Sequence, residues 1–114
     1  IEIRRAGRGA GASQGRMSRG VAFAPRAERD LEDIGDYIAR RDPERARSFV
    51  RELRERCEAL SGHPRAYRLR PEFGPAIRSL PHGAYLVLYR ERGGKVAIER
   101  ILHAARDLPR PLGR

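Results

Sequence analysis

Apolar positions along the chain change period, and the changes mark its elements. From Ala27 they recur as Leu31, Ile34 and Ile38, at steps of four, three and four, with Arg, Glu and Asp between them. That is the stripe of an amphipathic helix. A second stripe, Ala46, Phe49, Val50, Leu53, Cys57 and Leu60, predicts another. From Tyr85 the pattern becomes two apolar runs around Gly93-Gly94. Two glycines accept the positive φ angles of a tight turn, so residues 85–107 read as a β-hairpin and its exit. In the first run Tyr85, Val87 and Tyr89 point one way, and Leu86 and Leu88 the other.

The boundaries follow from local chemistry. Val21-Ala22-Phe23 reads as a short strand ended by Ala24-Pro25. Pro25 suits a first helical turn, whereas Ala24 is a poor N-cap. Asp42-Pro43 restarts the chain with a capping carboxylate and a proline at the first position. Ser61-Gly62-His63-Pro64 ends the second helix. Residues 62–76 read as a loop, Ile77–Leu80 as a short strand, and Pro81-His82-Gly83 as the turn into the hairpin. The order β-α-α-β-β-β predicts an α+β fold: an antiparallel sheet with a helical hairpin packed on one face. One helical layer leaves the Leu86–Leu88 face bare. That face and an open hairpin edge are expected to receive a partner strand, and grooves beside the helices an amphipathic helix.

Length allows one domain, expected over residues 20–108. Residues 1–19 have no apolar period and read as a disordered lead-in, and 109–114 as a tail. Met17 is the expected natural start, with residues 1–16 upstream. The formal net charge is +10; four Arg and one Glu in residues 1–16 leave +7 for the rest. Such a domain suits an acidic partner, although Arg and Glu alternate along both helices. No apolar run reaches membrane-span length and no secretion signal is present, so a cytoplasmic protein is expected. Cys57 lies in an apolar stripe and reads as core. His63, His82 and His103 show no metal-ligand spacing, so neither metal nor cofactor is expected.

A family resemblance emerges from the motifs in order. They are Ala27-x-x-Asp30-Leu31-x-x-Ile34-x-x-Tyr37-Ile38, Pro43-x-x-Ala46-x-x-Phe49, His63-Pro64, Arg78-Ser79, Tyr89-Arg90, and Ile98-x-Arg100-Ile101-Leu102-His103-x-x-Arg106-Asp107. Together they resemble the ParE branch of the RelE/ParE toxin superfamily, from about Ser18 to Leu108. The resemblance implies the toxin half of a bacterial type II toxin–antitoxin module. It further implies a ParD-like antitoxin as partner and DNA gyrase as target. The RelE branch implies the alternative, cleavage of mRNA on the ribosome, and a degenerate toxin that only binds antitoxin is a third reading.

RNA cleavage needs a base, an acid and a cation for the developing phosphorane. His103 is the candidate acid or base. Arg78, Arg100 and Arg106 are candidate phosphate clamps, and Tyr85 or Tyr89 a proton donor or stacking surface. RelE-like nucleases tend to carry a Lys, Arg and Tyr cluster or a terminal His-Tyr pair. Here Ala104-Ala105 follows His103, and the loop holds Arg68 and Arg70 but no lysine. His103 has an ordinary reading too, as a ring that sets the turn after the last strand. Arg100 has one as the partner of a helix carboxylate, Asp30 or Asp33, and Arg106-Asp107 as a local pair. Catalysis is therefore not expected. Arg78, Tyr85, Val87, Tyr89, Arg100, His103 and Arg106 stand as candidate contacts for target or antitoxin.

Overall fold

Ala24 hands the chain from strand to helix without a side-chain cap; its own N–H is bonded to the Ile98 carbonyl instead, at 2.9 Å. The computed structural model describes residues 20–108; the expected lead-in and tail lie outside them. β1 is Val21–Phe23 and α1 is Pro25–Ala39. The α1 stripe buries Ala27, Leu31 and Ile34. α2, Pro43–Glu58, starts as its sequence predicts: the Asp42 carboxylate accepts from the Arg45 N–H at 3.0 Å. A 3₁₀ turn, Ala59–Gly62, finishes it and sinks Leu60 into the core. Leu31, Leu53 and Leu60 are almost fully enclosed, and burying each contributes about 2 kcal/mol.

β2 (Ile77–His82), β3 (Tyr85–Arg92) and β4 (Lys95–His103) complete a four-stranded sheet in the order β1-β4-β3-β2. The α+β architecture is the expected one, but the sheet is mixed. β1 runs parallel to β4, Val21 opposite Val96. Parallel neighbours require a long crossover, and the two helices with β2 and β3 supply it. β2 reaches further than Leu80: Pro81 pairs with Leu86 and His82 with Tyr85, which moves the turn to Gly83-Ala84. Proline is tolerated there because β2 is an outer strand. At the other turn Gly93 and Gly94 take φ of 59° and 82°, as the hairpin requires.

Two expectations about open surface are corrected. The hairpin has no free edge, because β2 flanks β3 and β1 flanks β4. The outer edge of β2 is itself bridged by the loop, Leu69 against Arg78, with Arg70 N–H on the Ile77 carbonyl at 2.7 Å. Nor is the second sheet face bare. Ile77 and Leu88 are fully buried and Leu86 nearly so. Gly74 closes over Ile77, and Arg70 donates to Ser79 Oγ at 3.2 Å. The sequence left the loop unassigned, and the loop folds back onto the sheet.

A β-bulge changes the second half of β4. Leu88 pairs with Arg100 but Tyr89 with Ile98, so Glu99 is the extra residue. The bulge flips the alternation: Ile101, not Leu102, joins Ile98 in the core. Glu99 is fully buried with both carboxylate oxygens lacking a hydrogen bond, and Arg90 Nε lies 3.3 Å away. Burial pushes its carboxyl above the usual range, and Arg90 only partly offsets that.

Candidate functional site

The candidate residues fall into two places rather than one. At the end of β4, Asp30 Oδ2 accepts from Arg100 Nε at 2.8 Å and from the Ile101 N–H at 2.8 Å. β1 pairs only as far as Ile98, and Asp30 meets the β4 backbone beyond it. Arg100 Nη2 adds a second bond to Oδ1 at 3.1 Å, which gives a forked pair. That bond raises the Arg100 pKa, so its charge is permanent and internal. Of the two carboxylates weighed for Arg100, Asp30 is the partner.

His103 sets the turn that follows. Its Nδ1 accepts from the backbone N–H groups of Ala105 and Arg106, at 3.2 and 3.1 Å. Its own N–H donates to Asp107 Oδ2 at 2.9 Å, and Asp107 N–H returns a bond to the His103 carbonyl at 2.8 Å. The His103 N–H and then Arg106 hold the Asp107 carboxyl below the usual range. The ring packs edge-on against Tyr85, centroids 5.1 Å apart. With Nδ1 an acceptor twice over, the neutral ring carries its proton on Nε2. A ring in that state has no free lone pair with which to act as a base.

Arg106 leans on Asp107 (Nε to Oδ1, 3.5 Å) and over the exposed Tyr37 ring at 5.4 Å. Arg40 approaches the same ring at 5.6 Å. A cleft of about 460 Å³ lies here, with Asp30, Asp33, Tyr85, Arg100 and Arg106 among its walls.

The second place is under the loop. Arg78 Nη1 donates to the Tyr67 carbonyl at 2.7 Å and to the Arg65 carbonyl at 3.4 Å. The Tyr89 hydroxyl donates to the Pro64 carbonyl at 2.8 Å. Burial pushes the Tyr89 phenol up, with Arg78 working against it. Neighbouring side chains extend the network: Arg56 bonds His82 Nδ1 at 3.0 Å, and His82 Nε2 lies 3.5 Å from Glu52. Tyr85, Val87 and Tyr89 are buried in the helix-facing core, so in this fold they support the sheet and offer little outer surface. Among the described residues no group of three or more His, Cys, Asp or Glu is placed to hold a metal, and no helix is long and apolar enough to cross a membrane.

The largest concavity belongs to neither place. Between α1 and α2, on the side away from the sheet, runs a groove of about 810 Å³. Leu31, Gly35, Ala39, Ala46 and Val50 lie along it, and a Cβ on Gly35 would sit 3.4 Å from Val50 Cγ2. The stripe analysis passed over it. The signal was there in the small residues Gly35 and Ala39, one helical turn apart beside the core stripe.

The family model described as ParE toxin of type II toxin-antitoxin system, parDE, matches residues 21–108. A solved structure described as the chromosomal ParDE TA system from P. aeruginosa shares the fold, with a TM-score of 0.66 and 24% sequence identity. The match covers 74% of this chain and 94% of that one. No curated protein matches the sequence.

Proposed function

The chain belongs to the ParE toxin family of type II toxin–antitoxin systems, and from that premise we propose that it acts in the bacterial cytoplasm by binding DNA gyrase, with no catalysis of its own. A ParD-like antitoxin neutralises it. The observation that carries this reading is that the groups needed for RNA cleavage are committed inside the fold. Arg100 is forked onto Asp30, Arg78 holds two loop carbonyls, Tyr89 donates to Pro64, and the His103 Nδ1 is filled by two N–H groups. A nuclease would need these groups aimed at a phosphate. Held as they are, they build a rigid surface.

Antitoxin capture is best supported at the groove between the helices. Hairpin edge and second sheet face are both occupied, so an added strand has little to pair with. A helix laid on small residues meets no such obstacle.

The test uses purified full-length protein in two assays. With gyrase, plasmid and ATP, cleaved plasmid linked to gyrase should accumulate, while ribosome-bound mRNA stays intact. Site-specific mRNA cuts that vanish in His103→Ala would transfer the assignment to a ribosome-dependent nuclease. Inactivity in both assays, with tight antitoxin binding, would mark a toxin that has lost its target.

A further inference from the structure

The groove differs from one end to the other, and the difference gives its occupant a direction. The Glu28–Arg54 ion pair, 2.8 Å, fixes the end where α1 begins and α2 finishes. Gly35 against Val50 marks the middle, and the short link through Arg41 closes the other end. Glu32, Glu55 and Glu58 line the first end, where Arg54 is already neutralised by Glu28. Arg47 and Arg51 line the half toward the link, facing a single acid, Asp36. In a chain of net charge +10, an acidic mouth grading into a basic floor is a local reversal.

We propose, on the reading that an antitoxin holds this toxin, that the groove takes one amphipathic helix of that partner lying parallel to α1. Its first turns carry Lys or Arg over Glu32, Glu55 and Glu58. Its last turns carry Asp or Glu over Arg47 and Arg51. Two independent terms give the same direction. Side-chain complementarity sets the charged ends, and the helix dipole places its positive N-terminus at the acidic mouth. The seam facing Gly35, Ala39 and Ala46 is apolar, because small residues let a second helix backbone come close. A strand does not fit, since the groove offers side chains and no open backbone edge. A second copy of this chain does not fit either. Its own outward helical face is a groove, and groove on groove leaves both floors unfilled.

The probes are two synthetic peptides of the length of α2, 16 residues, with the same Ala/Leu seam and blocked ends. One carries Lys in its first turns and Glu in its last; the other has these exchanged. By fluorescence anisotropy in about 50 mM salt, where surface charges are weakly screened, the first should bind about tenfold tighter. A nitroxide on its N-terminus should broaden the amides of Glu55 and Glu58 rather than that of Arg47. The preference should invert in the quadruple variant Glu55→Lys, Glu58→Lys, Arg47→Glu, Arg51→Glu. Binding should be lost in Gly35→Phe, which fills the groove, once an unchanged amide spectrum elsewhere shows that this variant folds. Equal affinities, opposite broadening, or binding indifferent to Gly35→Phe overturns the proposal. Neutralisation by the whole antitoxin is scored separately: its survival alongside any of these outcomes sinks the helix direction and leaves the toxin–antitoxin reading intact.

Discussion

Arg100 and Asp30 meet at 2.8 Å across 70 residues of sequence, and their contact fastens the last strand to the first helix. The same carboxylate also accepts the Ile101 N–H, so one side chain serves two groups. Both partners are mostly buried, with side-chain exposures of 23% and 12%. Asp30→Ala strands a guanidinium and a backbone donor together. It should cost about 2–4 kcal/mol in urea unfolding, and the double variant Asp30→Leu, Arg100→Met should recover part of that.

The turn at His103 predicts a tautomer. Nitrogen NMR at mildly alkaline pH should find the proton on Nε2 and a bare Nδ1, as two N–H donors on Nδ1 demand. The reverse tautomer would remove the argument that this ring cannot act as a base.

Two carboxylates should pull the pH profile of stability in opposite directions. Asp107 has a lowered pKa, so its stabilisation is complete above the ordinary aspartate value and disappears as pH falls through the folded one. Asp107→Asn should flatten the acid limb of the profile. Glu99 has a raised pKa, so the fold favours its protonated form; its contribution is best at low pH and is lost as pH rises through the folded value. Glu99→Gln should therefore be more stable than the parent at pH 7, and the gain should vanish below the unfolded glutamate pKa. Thermal melts over this range measure both.

Cys57 should be silent until the protein unfolds. The thiol is buried and its pKa is pushed up to about 12 by that burial, so little thiolate exists near neutrality. An aromatic disulfide reagent should react only in denaturant. Fast labelling of the native protein would mean that α2 opens locally.

The start of α2 rests on one carboxylate. Asp42→Ala removes the acceptor of the Arg45 N–H and should cost about 1 kcal/mol, read as a lower urea midpoint with an unchanged slope.

Local signals were readable wherever one residue type answers one backbone need. Asp42-Pro43 begins a helix, Gly93-Gly94 turns a hairpin, and the stripe of Ala27, Leu31 and Ile34 reaches the core. Features set by distant pairing were hidden. The direction of β1 depends on a strand more than seventy residues away. The bulge at Glu99 reassigns every later side chain of β4, yet an extra residue leaves no mark on composition. It is why Arg100 reaches a helix while Ile101 turns inward. The loop conceals most, because its carbonyls are gathered by Arg78 and Tyr89, whose side chains show no such preference in sequence. At the site, chemistry-bearing residue types were easy to find and their engagement was not.

The pairing of Val21–Phe23 with Val96–Ile98 also sets a schedule for biosynthesis. A polypeptide made from its N-terminus presents the opening strand early and its mate near the end. The helical stripes emerge in between, with most of their sheet still inside the ribosome. Long-range closure of this kind delays completion of the domain until translation is almost over. Prematurely terminated products should therefore lack the assembled form, and a cell that stalls midway through this message would be left with proteolytic substrate instead of poison.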